Sequence, residues 1–503
     1  MNAKLLAKQL RKLTTPLTTK NANATTNNKK DRLKSRLFSG MVKSRQFFMI
    51  HKFKFENNNF VIDTNSGSVH LVDDISYDIL DYIPGTFFDY TESYVIKKLS
   101  DKYPQKEIKE AFDELFSLYT AGKLFSEDSY QKLVTEEKIS SPIKAICLNV
   151  SHDCNLRCSY CFASKGDFKC KRELMSLETA KKAIDFVIAK SGNIRNLEMD
   201  FFGGEPLMNF EVVKETVKYA RSLEKQHDKN FRFTLTTNGV LLDDEKIDFI
   251  NKEIYDVVLS LDGRKETNDR FRLTKVGTGS YDVVLPKFKK LIEKRNGKKY
   301  YVRSTYTKEN LNFTEDIMHI YNLGFSEISA EPALAGDGFE HAVTEKDLPE
   351  ILKEHDKLTK KLIEMKKAGE NINFFNFNIS LNEGPCITKR LKGCGFGNDY
   401  VAITPNGDIY PCHQLVGEEQ FIMGNLNEGT FNENLKKEFL KLTVYHKEKC
   451  KKCWAKFYCC GGCSSKNYQF NKDLKKPYEM SCEMQKKKIE CAIAYSVLSG
   501  SEE

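Results

Sequence analysis

The 503-residue chain lacks any apolar run long enough to cross a bilayer, so we predict neither a transmembrane helix nor a membrane partner. It has no recognisable secretory signal, so its fifteen cysteines are not expected to form disulfides. Acidic residues are scarce in one region: residues 1–55 carry fourteen Lys or Arg and a single acid, Asp31. The net charge of this region is +13, whereas that of the whole chain is +9. The remaining chain carries −4 and is not expected to bind nucleic acid.

The first 48 residues form a basic, low-complexity extension rich in Lys, Thr and Asn. One interpretation is an organelle-targeting peptide. The other is a disordered extension, or upstream sequence translated from a misplaced start codon. Met49 begins the first strand-like segment and favours the second interpretation, which leaves a cytoplasmic location as our expectation.

Alternation and helical spacing divide the rest of the chain into distinct regions. Residues 49–130 read as hairpin strands around an Asn-rich turn and then a Ser-Gly turn, followed by three helices, a compact winged-helix-like module. The predicted parts are the extension over 1–48, this module over 49–130, a polar linker over 131–142, an α/β region over 143–370 and a Cys-rich region over 371–495.

Within residues 143–335, six apolar strands alternate with amphipathic helices. Strands and helices in that order predict parallel strands with helices outside them. Six units fit an open, partial (β/α)6 barrel better than a closed one. Catalytic residues of barrel-like α/β folds lie in the loops that follow the strands.

The loop after the first of these strands carries Cys154-x3-Cys158-x2-Cys161. Three thiols are one fewer than a closed zinc site needs, and His152 is badly placed to supply the fourth ligand. Iron–sulfur clusters are held by cysteine thiolates, and a four-iron cluster on three cysteines keeps one iron open. The spacing therefore indicates a cluster with a vacant coordination position.

With Tyr160 before its last cysteine, this motif resembles the signature of the radical S-adenosylmethionine (SAM) superfamily. The resemblance implies that Cys154, Cys158 and Cys161 are catalytic cluster ligands, that the open iron chelates SAM, and that an electron cleaves SAM to a 5′-deoxyadenosyl radical. The second strand ends in a segment similar to the family's GGEP motif, which contacts SAM. Its matching residues are Gly203, Gly204 and Glu205, before Pro206.

Other strand ends carry polar residues where the resemblance implies SAM neighbours: Ser260, Asp262, Arg272 and Arg303. Each of them is equally well explained as a satisfied polar group at the end of a strand. Glu331 is a candidate polar contact in the barrel mouth or a partner in a structural salt bridge.

The C-terminal cysteines resemble the SPASM extension of radical SAM maturases, which binds two auxiliary four-iron clusters. The implied ligands are Cys394, Cys412 and Cys463 for the first cluster, and Cys450, Cys453, Cys459 and Cys482 for the second. Cys386 would complete the first cluster; otherwise its open iron could bind a substrate thiolate. The alternative is a pair of structural zinc knuckles. Cys147, Cys170, Cys460 and Cys491 receive no role.

From Met49 onward the chain resembles the maturases of SCIFF peptides, which have six cysteines in forty-five residues. The matching segments are "GSVHLVDDISYDIL", "LNVSHDCNLRCSYCFA", "FFGGEPLMNFEVVK", "ITPNGDIYPCHQLVGEEQFIMGN" and "CWAKFYCCGGCSSKNY". This resemblance implies that a radical is formed on a peptide residue, Thr or another, and that a peptide cysteine closes on it as a thioether. It also implies a Cys-rich precursor peptide as substrate and an electron donor such as flavodoxin or ferredoxin.

In the same family the N-terminal module recognises the peptide, whose leader pairs with an edge strand. A DNA-binding winged helix is the alternative for this module. The predicted third helix carries Glu107, Glu110, Asp113 and Glu114, a poor surface for phosphates.

Two other functions remain open at this point. One is a SPASM maturase of a whole protein, such as a sulfatase or a quinone-cofactor precursor. In sulfatase-maturing enzymes an Asp follows the cysteine that aligns with Cys412, whereas His413 follows it here. The other is a zinc-stabilised adaptor without enzymatic activity.

Overall fold

The computed structural model describes residues 49–83, 85, 87, 90–135, 139–334, 339–379, 381 and 387–500. The predicted extension over residues 1–48 and the predicted ligand Cys386 both lie outside this range. No helix within it is long and apolar enough to cross a bilayer.

The chain begins with an antiparallel three-stranded sheet in the order β1-β2-β3. Its strands are β1 (Ile50–Phe55), β2 (Asn58–Asp63) and β3 (Val69–Val72). Three helices follow: α1 (Asp74–Ile79), α2 (Glu92–Leu99) and α3 (Gln105–Thr120). Asp73 caps α1 by accepting from Ser76 N, and Thr91 caps α2 by accepting from Tyr94 N.

Both faces of this small sheet are covered. Val61 faces the helices and packs in a cluster with Ile79 and Ile108. On the other face the alternate side chains pack against the C-terminal helix through Ile489 and Ile493. Those side chains are Phe53, Phe55, Phe60 and Ile62. The period-2 alternation of the strands therefore supplies two apolar faces, one for the module's own helices and one for the distant C-terminal helix.

The central sheet has six parallel strands in sequence order, as predicted for a partial α/β barrel. They are β4 (Ala145–Ser151), β5 (Asn196–Gly203), β6 (Asn230–Thr237), β7 (Asp256–Ser260), β8 (Tyr300–Tyr306) and β9 (Glu327–Pro332). The helices between and after them are α4 (Leu177–Lys190), α5 (Phe210–His227), α6 (Asp244–Glu253), α7 (Lys265–Phe271), α8 (Tyr281–Arg295), α9 (Phe313–Asn322) and α10 (Leu348–Lys367). All carboxyl ends of parallel strands lie at one edge, so the loops that follow β4 to β9 converge.

The sheet continues beyond these six strands on both sides. The short β10 (Asn373–Phe374) pairs in parallel with β9. At the other end β11 (Tyr400–Ile403) pairs in parallel with β4, and β12 (Asp408–Tyr410) and β13 (Gly424–Asn425) continue it antiparallel. The Cys-rich region is therefore joined to the barrel by main-chain hydrogen bonds next to the strand that precedes the first cysteine motif.

The rest of the Cys-rich region consists of short helices and one long one. They are α11 (Ile387–Lys392), α12 (Glu433–Leu440), α13 (Glu448–Lys451), α14 (Lys456–Cys459), α15 (Ser464–Asn471) and α16 (Glu479–Leu498). Helix α16 is the helix that packs against the N-terminal sheet.

Candidate functional site

The first cysteine motif occupies the cysteine loop, residues 152–168, which follows β4 at the carboxyl edge of the barrel sheet. Asp153 Oδ1 accepts from Cys154 N at 2.8 Å, and Arg157 Nη1 donates to Cys154 O at 2.5 Å, so side chains hold the turn. The pKa of Cys154 and of Cys158 is raised to about 12, chiefly by burial, with smaller contributions from Glu205 for Cys154 and from the neighbouring thiols for both. The three thiols therefore share one buried site and need a bound positive group to become thiolates.

Glycines allow the loop to pack closely against the end of β5. A Cβ on Gly203 would lie 2.3 Å from Ser151 O, and one on Gly204 would lie 2.2 Å from Asp153 O. Gly204 N donates to Ser151 O at 2.8 Å. The two glycines predicted to contact SAM thus also lie directly against the main chain of the cysteine loop, where no larger residue fits.

The Glu205 carboxylate joins the end of β5 to the end of β6. It accepts from Leu207 N at 3.1 Å, from Thr237 Oγ1 at 2.8 Å and from Asn238 N at 2.8 Å. Burial raises the pKa of Glu205 to about 7, and these hydrogen bonds oppose that rise. Its side chain therefore positions the next strand end, in addition to the SAM contact predicted for its segment.

Asn238 reaches from the end of β6 into the cysteine loop. Its Nδ2 donates to Asn155 Oδ1 at 2.8 Å and lies 3.6 Å from Cys154 Sγ. Asn238 is not among the site residues predicted from the sequence. The "TTNG" turn after an apolar strand was the available signal. An Asn directly after a parallel strand lies at the carboxyl edge of the sheet, next to the cysteine loop.

Asp262 and Arg272, both predicted SAM neighbours, bind each other. Arg272 Nε donates to Asp262 Oδ2 at 2.9 Å and Nη2 donates to Oδ1 at 3.0 Å. Thr305 N donates to Oδ1 at 3.0 Å, and the Tyr160 hydroxyl donates to Oδ2. The charge of Arg272 also lowers the pKa of Cys158, against the larger effect of burial. This buried network supports the cysteine loop, and a SAM contact by either residue stays a prediction.

Ser260 and Arg303 are paired residues on β7 and β8. Arg303 is exposed and faces Glu331 of β9. Burial alone would raise the pKa of Glu331, but Lys488 and Arg303 outweigh it and hold the pKa below its ordinary value. Lys488 Nζ lies 3.1 Å from Glu331, so helix α16 brings a cation to the carboxyl end of β9.

The cysteines of the Cys-rich region fall into two groups. The pKa of Cys412 is raised to about 12 by burial and then by Cys463 and Cys394. The pKa of Cys482 is raised to about 11 by burial and then by Cys450 and, less strongly, by Cys453. Cys459 is influenced by the same three thiols of the second group. Cys394, Cys412 and Cys463 thus lie near one another, as do Cys450, Cys453, Cys459 and Cys482, while Cys460 lies near both Cys459 and Cys394. The role of these cysteines as ligands stays a prediction.

A buried cation lies between the two groups. Lys447 is 1% exposed, and its Nζ donates to Gly461 O at 2.8 Å. Burial lowers the pKa of Lys447, while Cys450, Cys459, Cys463 and Cys394 raise it. An ammonium beside two sets of thiols stabilises their deprotonated forms.

The first C-terminal group borders the barrel interior. His413, directly after Cys412, packs against Phe202 of β5 at 5.0 Å and against Phe162 of the cysteine loop at 5.8 Å between ring centroids. Its Nδ1 shares a hydrogen bond of 2.9 Å with the Tyr400 hydroxyl. Burial lowers the pKa of His413 to about 4, so the ring is neutral at physiological pH.

The donors fit iron–sulfur clusters better than a single ion. Every predicted metal ligand is a thiol, the characteristic ligand of these clusters. Among the described residues, no three His, Cys, Asp or Glu side chains are arranged to hold one metal ion. A four-iron cluster is wider than one ion, so its ligand thiols stand farther apart.

Two family models match the chain. Residues 148–318 match the radical SAM superfamily, and residues 394–454 match SPASM, an iron–sulfur cluster-binding domain. The chain therefore contains a radical SAM domain and a SPASM domain.

Two of the curated relatives match this chain at 23–26% identity. A cysteine-type anaerobic sulfatase-maturating enzyme of Clostridium novyi is 26% identical over 332 residues, which cover 62% of this chain and 85% of that protein. The radical SAM cyclopropyl synthase TigE of Paramaledivibacter caminithermalis is 23% identical over 458 residues, covering 84% and 90%. Both relatives match the chain across most of their own length.

Solved structures show the same fold. The enzyme anSMEcpe with bound AdoMet and the Kp18Cys peptide has a TM-score of 0.58 at 21% identity, covering 71% of this chain and 99% of that one. Streptococcus suis SuiB bound to S-adenosylmethionine has a TM-score of 0.51 at 18% identity, covering 87% and 99%. At these identities the likeness concerns the fold alone.

Proposed function

We propose that this chain, with its radical SAM and SPASM domains, is a peptide maturase that forms thioether bridges in a Cys-rich, ribosomally made SCIFF peptide. A peptide cysteine sulfur would become bonded to a carbon of Thr or of another residue. The observation that carries the proposal is the meeting of the three thiols of the cysteine loop, at the carboxyl end of β4, with a Cys-rich region joined to the same sheet.

The residues around the cysteine loop suit the predicted cofactors. Cys154, Cys158 and Cys161 would hold the first four-iron cluster. SAM would lie near the ends of β5, β7 and β8, against Gly203, Gly204, Glu205, Ser260, Asp262, Arg272 and Arg303. Cluster and SAM, when bound, supply a carbon radical able to remove a hydrogen atom from a peptide.

The two C-terminal groups would hold two auxiliary clusters. The charge of Lys447 lowers the pKa of Cys450, against the larger effect of burial. The first group borders on the barrel interior through His413, so a peptide that reaches the barrel also comes near Cys412. Closing a thioether releases one hydrogen from the carbon and one proton from the thiol. The surplus electron would leave through the auxiliary clusters.

The N-terminal sheet supports a peptide substrate. Both β1 and β3 are edge strands of that sheet among the described residues, and such an edge accepts an extended peptide. SuiB, a structural neighbour, has been solved with its precursor peptide SuiA, with a TM-score of 0.50 to this chain. We further propose an electron donor such as flavodoxin or ferredoxin and an oxygen-poor cytoplasm as the setting.

A maturase of a whole protein is the second candidate, favoured by the sulfatase-maturating relatives. That function assigns a base to an Asp after the cysteine aligned with Cys412. Here His413 occupies the position, and its Nδ1 is engaged by Tyr400. This difference favours the peptide maturase.

The test is anaerobic reconstitution with iron and sulfide, followed by SAM, a reductant and a SCIFF-type peptide. We expect the peptide to lose two hydrogens per bridge and to present fewer alkylatable thiols after reduction. SAM cleavage with an unchanged peptide would overturn the peptide maturase, and a zinc-loaded protein without SAM cleavage would favour the adaptor.

Cys158→Ala tests the first cysteine motif, and Cys170→Ala is its matched control. Cys158 belongs to the first motif, and its loss is expected to abolish SAM cleavage. Cys170 is half-buried with its thiol 3.5 Å from Phe168 O, and its loss should leave cleavage intact. Cleavage retained by Cys158→Ala would remove the radical SAM assignment of the site.

A further inference from the structure

A cavity of about 250 Å³ lies where the N-terminal sheet, the Cys-rich region and helix α16 meet. The turn between β2 and β3 lines one side with Thr64 and Gly67, and Phe457 of α14 lines another. Gln485 and Lys488 of α16 also face it. The cavity thus touches both the module proposed to recognise a peptide and the helix that reaches the barrel.

Polar side chains line this cavity. Asn378, which is exposed, and Gln485, which is partly buried, both contribute side-chain amides to its lining. A side-chain amide offers both donors and an acceptor, so this lining suits an occupant that supplies both as well. An extended peptide main chain supplies both.

The direction of the N-terminal sheet leads toward the cavity. Ile50 of β1 pairs with Asp63, and Val69 of β3 pairs with Ile62, so β1 and β3 both start beside the β2–β3 turn. A peptide that continued the antiparallel pattern at either edge would therefore run toward that turn. Its C-terminal continuation would leave the sheet beside Thr64, at the cavity.

The opposite wall of the cavity belongs to the barrel mouth. Lys488 lines the cavity and pairs with Glu331 at 3.1 Å, at the carboxyl end of β9. Asn376 lines it as well, donates to Glu331 at 2.8 Å and accepts from Ala330 N at 2.9 Å. The cavity and the carboxyl edge of the barrel therefore share side chains.

We propose that this cavity holds the extended main chain of the substrate peptide between the segment that pairs with the N-terminal sheet and the segment that reacts in the barrel. This inference rests on the proposed peptide maturase. Asn378 and Gln485 bind the peptide's amide groups, and the cavity sets how far the reacting residues reach into the barrel.

The test fills the cavity at Asn378 and uses Asn371 as its matched control. Like Asn378, Asn371 is exposed, and the two residues lie on either side of the short strand β10. Asn371 does not line the cavity. In iron-loaded protein, Asn378→Trp is expected to lower turnover of a SCIFF-type precursor about tenfold. Binding of the isolated leader peptide and SAM cleavage without peptide should stay within about twofold of wild type. Asn371→Trp should resemble wild type in all three assays.

Gln485→Ala serves as a second, milder variant and should lower turnover by about threefold to tenfold. A photoreactive benzoyl-phenylalanine at position 378 should label the precursor between its leader and its first bridged residue. Labelling of the leader itself, or full turnover in both cavity variants, would overturn the inference. Wild-type protein that neither binds nor modifies the precursor would overturn the proposed function instead.

Discussion

Asp262 is the most heavily hydrogen-bonded carboxylate near the cysteine loop. Its hydrogen-bond partners are Tyr160 of the cysteine loop, Arg272 directly after α7 and Thr305 of β8. Asp262 is fully buried and Arg272 is 8% exposed, so the pair stands in a low-dielectric setting. Removing the charge of one partner of such a pair leaves the other charge buried and unpaired.

We therefore expect Asp262→Asn to lower the free energy of unfolding by about 3–5 kcal/mol, because the Arg272 guanidinium loses its counter-charge. Chemical denaturation of the iron-free protein measures this change. The exposed pair Lys265–Asp282 supplies the control: Asp282→Asn should cost less than about 1 kcal/mol. Equal effects of the two variants would contradict a structural role for the Asp262 network.

Asp200 on β5 is a second unusual carboxyl at the residue scale. Burial raises its pKa to about 7, helped by the charge of Asp256, and its Oδ1 has no partner among the described residues. The unfolded chain deprotonates near pH 4, so the folded state holds the proton more tightly. The contribution of Asp200 to stability is then fully present below about pH 4 and is lost as the pH rises to about 7.

Asp200→Asn should flatten this pH dependence. The free energy of unfolding of the wild type is expected to fall by about 1–3 kcal/mol more than that of the variant between pH 5 and pH 8. Denaturant titrations at both pH values measure the difference, and Asp248→Asn on the exposed face of α6 is the control. Parallel pH profiles for wild type and Asp200→Asn would contradict the raised pKa.

At the scale of elements, the N-terminal sheet packs directly against helix α16. His51 of β1 stacks on Trp454 with ring centroids 3.7 Å apart and planes 1° from parallel, and its Nε2 lies 2.8 Å from Glu490 of α16. Trp454 directly follows Cys453, a predicted ligand of the second auxiliary cluster. The N-terminal sheet thus contacts the Cys-rich region.

Deleting the module would expose the apolar side of α16, including Ile489 and Ile493. A deletion therefore tests stability as much as recognition, and point substitutions at this interface are cleaner.

His51→Ala is expected to reduce stability by about 1 kcal/mol, because it removes an aromatic contact together with a partly buried hydrogen bond. The change is visible directly, since Trp454 is the only tryptophan in the sequence. Its emission should shift to longer wavelength as water reaches the indole. His70→Ala is the matched control, because His70 bonds only to Lys123 O at 2.8 Å. An unchanged emission in His51→Ala would contradict the stacking.

At the scale of the whole molecule, different regions depend on different interactions for their stability. The barrel strands are joined by continuous parallel ladders, whereas two cysteines of the second group, Cys450 and Cys459, lie on helices of only four residues each, α13 and α14. Helices this short have few internal hydrogen bonds, so bound clusters would supply much of their stability.

Removing iron by chelation should therefore increase amide hydrogen exchange most in residues 448–482. Strands β5 to β8 are the internal control and should change little, because their ladders do not depend on cysteine. Mass spectrometry of iron-loaded and iron-free protein measures both regions at once. A uniform increase across the chain would contradict this division.

Local pattern predicted a large part of this architecture. The six barrel strands follow from apolar runs between amphipathic helices, and the cysteine loop follows β4 as its position after the first apolar run indicated. These features depend on residues near one another in sequence, which determine periodicity, turns and motif spacing. The short strands β11 to β13 were not predicted, because two to four residues carry no usable periodicity.

Long-range contacts were decided only by the folded chain. The sequence by itself determined the class of chemistry, since three thiols after the first strand and seven farther along specify sulfur-rich sites wherever they fold. Tertiary structure decided that Asp262 and Arg272 satisfy each other, that Glu205 binds the end of β6, and that the N-terminal sheet packs on α16. Such pairings join residues separated by ten to more than four hundred positions, and they depend on which faces meet when apolar surface is buried.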